Sequence, residues 1–220
     1  MTAPAALQKL LTWLSPAFPV GAFAWSAGLE TAIAGRVVTD APSLRDWLYG
    51  ALTHGGHRTD AIFLAQAFHA QPDAKKLDEL AELYLALTPA AERHAETLTT
   101  GDAFVIAARA WPSDVFSRLP APCPYPIVVG AAAAAHGVPL AETLIGFLTA
   151  AVHTQVSVAV RLVPLGQTAG LSVMATLEPD IARLAAAAAN ATLADLGAIA
   201  YAADIAQMRH EGLEPRIFRS

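Results

Sequence analysis

Apolar residues recur along the chain at three- and four-residue intervals, the spacing of helices that each bury one face. Leu7, Leu10, Leu11 and Leu14 form the first such stripe. Pro16 ends it, because the residue before a proline avoids the helical region. The pattern predicts a second helix over Phe23 to Ala34, with Gly35 at its C-terminal end. Ser43, followed by Asp46, reads as a capping box for a helix carrying Leu44, Trp47, Leu48 and Leu52. Gly55-Gly56 then interrupts the pattern, which resumes from Ala61 to Phe68. Asp73 is placed to cap KKLDELAELYLAL, and Thr88-Pro89 to open a long helix toward Ala110.

Prolines make WPSDVFSRLPAPCPYP the clearest irregular stretch. Beyond it, Pro126 fits the first turn of IVVGAAAAAHG, and Gly137 fits its end. Pro139 opens a long helix that Pro164 and Gly166 close. Three further helical stretches are expected at Thr168 to Thr176, Pro179 to Ala189 and Leu193 to Gln207. RHEGLEPRIFRS has no helical face. No sustained period-two alternation and no fixed repeat occurs. The expectation is an all-α, single-domain bundle of roughly ten helices over residues 1–209, with a non-helical C-terminal docking tail at 210–220.

Composition sharpens this picture. The chain of 220 residues is 55% hydrophobic and 15% charged, against ~45–50% and ~25% in an average soluble protein. Much of the excess is alanine, which suits close helix packing or an apolar surface that waits for partners. A net charge of −5 offers no field for nucleic acid. The single Cys123 excludes an intrachain disulfide and agrees with a reducing compartment. Lys9 lies inside the first apolar stretch rather than ahead of it, unlike a secretory signal, so a cytoplasmic protein is expected. Thr143 to Val160 carries no formal charge, but the Thr, His, Gln and Ser side chains spread through it favour a buried helix over a membrane span.

Few residues offer chemistry. VGAFAWSAG contains no lysine and follows no strand, so it is not a phosphate loop. Trp25-Ser26-Ala27-Gly28 lacks the first glycine of a nucleophile elbow. His54, His57 and Asp60 would share a face on an unbroken helix and suit nickel or zinc, but Gly55 and Gly56 weaken that helix, and the working expectation is no metal site. Arg161 can complement a helix C-terminus or reach a partner acid. Glu30 closes an otherwise apolar stretch. Ile217 and Phe218, flanked by Arg216 and Arg219, have the composition of a docking segment.

SPAFPVGAFAWSAGLE, YPIVVGAAAAAHGVPL, QVSVAVRLVPLGQTAG and MRHEGLEPRIFRS, in this order across nearly the whole chain, together resemble the UreF family of urease accessory proteins. The resemblance implies an all-helical protein with no catalysis and no cofactor of its own. It implies a homodimer that binds a UreD/UreH-type protein and the GTPase UreG, and that couples GTP hydrolysis to nickel insertion into apo-urease. Partner contacts are then expected at Gly21, Phe23, Ser26, Glu30, Arg161, Gln167, His210, Arg216, Phe218 and Arg219. The competing expectation is a helical protein that binds nickel itself through His54, His57 and Asp60. The first motif departs from the commoner PVGGFSYSQGLE at Ala22, Ala24, Trp25 and Ala27, which removes polar groups while keeping the apolar face.

Overall fold

The computed structural model describes residues 3–197 and 200–220, and among them it contains helices and no strand. The helices are α1 (Pro4–Trp13), α2 (Leu29–Ala34), α3 (Ala41–His54), α4 (Gly56–Ala70), α5 (Ala74–Ala86), α6 (Ala91–Ala108), α7 (Val115–Arg118), α8 (Tyr125–Ala135), α9 (Leu140–Leu162), α10 (Gln167–Ala189) and α11 (Tyr201–His210). They form one all-α domain, as the hydrophobic spacing requires.

Helix α8 is apolar on every side, and such a helix belongs in the interior. Its residues from Pro126 to Ala133 are all buried. It lies closest to α4, and α6 also packs on it. A Cβ at Gly130 would sit 2.2 Å from the Leu64 carbonyl oxygen, so only glycine lets the two backbones come this near. The alanines at 131–133, in the same helix, are buried in this close packing.

Helix α9 runs beside α10 and contacts α4 and α2. It is long and apolar enough to cross a membrane by length and composition, yet half of its most apolar window is buried inside the bundle. Two of its threonines meet their hydrogen-bonding needs locally: Thr143 Oγ1 donates to the Pro139 carbonyl at 2.8 Å, and Thr154 Oγ1 to that of Ala150 at 3.0 Å.

Several local expectations are corrected. In α1 the buried face is Ala6, Leu10 and Trp13, while Leu7 and Leu11 are exposed. Trp13 is drawn inward by the rings of Phe104, Trp111 and His136, at centroid distances of 5.8, 5.8 and 5.2 Å. The capping box of α3 is built three residues earlier than expected: Asp40 accepts from the Ser43 amide at 2.9 Å, and Ser43 Oγ accepts from the Asp40 amide at 3.1 Å. Thr88 turns back to the Tyr84 carbonyl at the end of α5, and α6 starts only at Ala91. Thr168 to Ala189 is one helix rather than two. Pro179 lies on its exposed side, and Val173, Leu177, Ile181 and Ala185 hold the buried side continuous across it. The stretch from Leu193 to Gln207 opens as a 3-10 turn at Leu193–Asp195 and becomes helical again at Tyr201, with residues 198–199 outside the described set.

Candidate functional site

The largest departure from expectation lies at Phe23 to Ala34. Only Leu29–Ala34 is helical; Ala22–Ala24 is a single 3-10 turn entered through Gly21, whose φ is 73°. Ala27 and Gly28 take left-handed φ values of 51° and 80°. The helix is interrupted because another segment claims its backbone. The Arg219 amide donates to the Ala24 carbonyl at 2.8 Å, and the Ser26 amide to the Ser220 carbonyl at 2.8 Å. The Ala27 amide donates to Ser220 Oγ at 3.1 Å, and Ser26 Oγ also donates to the Ser220 carbonyl. The C-terminal segment is thus read through its backbone. At Gly28 a Cβ would fall 2.8 Å from the Gln207 amide nitrogen, so glycine also permits the approach of α11 to this turn.

Glu30 is the hub. Its carboxylate stands at the start of α2, where the positive end of the helix dipole favours it. Oε1 accepts from the Ile217 amide at 2.7 Å, and Oε2 from the Phe218 amide at 2.9 Å. The fully buried His210, at the C-terminal end of α11, places Nε2 2.9 Å from Glu30 Oε2 and Nδ1 2.7 Å from Glu92 Oε2. Arg216 Nη1 closes the network by donating to Glu92 Oε1 at 2.7 Å. Burial alone would raise the Glu30 carboxyl, but the hydrogen bonds from His210, Ile217 and Phe218 outweigh it and hold the group below its ordinary value.

The sequence-derived candidates divide between the interior and the surface. Ser26, Glu30, His210 and Phe218 are buried against the chain's own residues. Phe23, Arg161, Gln167, Arg216 and Arg219 are exposed, and Gly21 is half-buried. Arg161 lies over the Phe218 ring at 6.0 Å, and Arg219 over Trp25 at 5.8 Å. Gln167 takes no part in this cluster and begins α10. Glu92 was not singled out by sequence; an acid in the first turn of α6 was the sole local sign of it.

The His54, His57 and Asp60 grouping does not form. His54 ends α3 and is exposed, while Gly55 breaks the chain direction before His57 and Asp60 on α4. Asp60 is already engaged: Tyr84 Oη donates to its Oδ1 at 2.7 Å, and Arg93 pairs with its Oδ2. Burial pushes the His57 imidazole down to about 4. Among the described residues no group of three or more His, Cys, Asp or Glu side chains converges as for a metal ion.

The fold and this network define an all-α, single-domain protein that fixes its own C-terminal segment with buried polar groups. The chain belongs to the UreF family, whose sequence profile matches residues 38–178. It is 49% identical over 216 residues to a urease accessory protein UreF of Agrobacterium fabrum, covering 98% of this chain and 97% of that one. A urease accessory protein UreF of Rhodopseudomonas palustris is 49% identical over 223 residues, covering 98% and 92%. A urease accessory protein UreF 1 of Brucella canis is 44% identical over 215 residues, covering 98% and 94%.

Proposed function

We propose that this urease accessory protein works without catalysis of its own, as a cytoplasmic homodimer that bridges a UreD/UreH-type protein and the GTPase UreG and couples GTP hydrolysis to nickel insertion into apo-urease. Nickel is cargo in this reading, not a resident cofactor. One observation supports it above the rest: a terminal segment that would ordinarily fray is held by a buried polar network, and the elements it joins turn apolar side chains outward. Tyr201, Ile205 and Met208 form one stripe on α11, exposed by 71%, 43% and 47%. Ile217 and Phe23 are exposed by 74% and 66%. Apolar surface held at such cost in buried polar groups suits a partner.

The buried candidates then act through placement. Ser26, Glu30, His210 and Phe218 set the segment in position, while Phe23, Ile217 and the α11 stripe supply contact. The test is co-purification of the intact chain, of Tyr201→Glu and of Ile217→Glu with the UreD/UreH-type protein and UreG, followed by light scattering after size exclusion. The intact chain is expected to assemble, and the two folded variants to lose the UreD/UreH-type protein. Assembly of both variants at the level of the intact chain contradicts the proposal.

A further inference from the structure

A second polar group joins α4, α5 and α6. Asp60 and Tyr84, at its centre, are 5% and 2% exposed. Tyr84 Oη donates to Asp60 Oδ1 at 2.7 Å, and Arg93 pairs with Asp60 Oδ2. The same Arg93 nitrogen, Nη2, donates to Tyr84 Oη at 3.2 Å, while Nη1 lies 3.1 Å from Glu96 Oε2. A buried ion pair repays its desolvation only in part, so net stability is a weak reason for it. Its geometric consequence is larger.

The start of α6 depends on that geometry. Its N-cap, Ala90, is buried but contributes no side-chain hydrogen bond, and the first buried residue of the helix itself is Thr97. From Thr97 onward α6 is anchored to the segment that opens α8: Thr97 Oγ1 accepts from the Tyr125 amide at 3.1 Å, and a Cβ at Gly101 would sit 1.9 Å from the Cys123 carbonyl oxygen. Ahead of Thr97, among the described residues, Glu92 and Arg93 carry the side-chain hydrogen bonds and ion pairs that α6 makes with other elements. Neighbours on a helix stand about 100° apart around its axis. Arg93 therefore reaches Asp60 and Tyr84 while Glu92 reaches His210 and Arg216. A turn or slide of α6 that releases one moves the other.

We propose that Asp60 and Tyr84 are positioning residues for the C-terminal segment. By fixing Arg93 they set the first turns of α6, and with them the place of Glu92, so that His210 and Arg216 meet their acceptor. The position of Ile217, 74% exposed, thus depends on two residues of the interior. The proposal rests on the clamp and not on the partner assembly proposed above.

Amide hydrogen exchange at Ile217 and Phe218 in the full-length chain tests it, with Tyr84→Phe, Asp60→Asn, Glu92→Gln and the double variant Tyr84→Phe/Glu92→Gln. Tyr84→Phe is expected to speed both amides about fivefold, and Asp60→Asn to speed them more. Added to Glu92→Gln, Tyr84→Phe should bring no further acceleration, because its route to the segment is already cut. A general loss of stability acts differently: it speeds amides that open on global unfolding, such as those of the buried α8, and acts equally in both backgrounds. Unchanged exchange at Ile217 and Phe218 in Tyr84→Phe, or the same fold-change with and without Glu92, overturns the proposal. Tyr84→Phe removes one oxygen and no charge, so it decides the matter even where Asp60→Asn fails to fold.

Discussion

Glu92 and Glu96 stand one turn apart on α6 and end in opposite circumstances. Both Glu92 oxygens are engaged, one by His210 and one by Arg216, and the network they join holds the C-terminal segment. Glu96 shares Arg93 with Asp60 and keeps an oxygen without a hydrogen bond. The difference lies in what the rest of the fold brings to each, not in the residue or the helix. A carboxylate that gains donors on folding stabilises the fold, and one that is buried with too few destabilises it.

Breaking the clamp at its hub should have the largest effect. Glu30→Ala leaves two backbone amides and His210 without their acceptor, and should cost about 3 kcal/mol in urea unfolding. Limited proteolysis should then cut near residue 217. Gly28→Ala combines a left-handed backbone with a clash against α11, and should cost about 2 kcal/mol by the same assay. The glutamate pair sharpens the contrast: Glu92→Gln should lose about 1 kcal/mol, whereas Glu96→Gln should stay within about 0.5 kcal/mol of wild type or exceed it.

The pH dependence separates the same two environments. The Glu30 carboxyl is lowered from 4.5 in the folded chain, so its contribution is complete above that value and disappears as pH falls through the lower folded one. The Glu96 carboxyl is raised from 4.5, so its penalty is absent in acid, appears as pH rises through 4.5 and is complete above the folded value. Urea midpoints measured from pH 7 to pH 3 should show a smaller acid loss in Glu30→Gln than in wild type. Glu96→Gln should gain on wild type only toward neutral pH. The smallest effect is expected from Arg161→Ala, where loss of the contact over Phe218 should cost about 0.5 kcal/mol.

These contrasts also mark what sequence can carry. The α8 segment was legible because its uniform apolar character, Pro126 and Gly137 all point the same way. Asp73 likewise caps α5, where it accepts from the Lys76 amide. Phe23 to Ala34 was misread as one helix because its competitor is almost 200 residues away: the hydrogen bonds of Ala24, Ser26 and Ala27 go to Arg219 and Ser220. Pro179 suggested a break that buried side chains on the opposite face override. Glu30 stood out as an acid closing an apolar run, but nothing local tied it to His210. No local motif marks Glu92 or Arg93; the fold sets His210 and Arg216 against the first and Asp60 against the second.

The central claim is that Glu30 clamps the C-terminal segment through the amides of Ile217 and Phe218. Amide hydrogen exchange at those two residues, in the wild-type chain and in Glu30→Gln, tests it most directly. The account predicts slow exchange at both amides in the wild type and fast exchange at both in the variant, with the amides of α8 protected in each. Fast exchange at Ile217 and Phe218 in the wild type, or protection that survives the substitution, would contradict it.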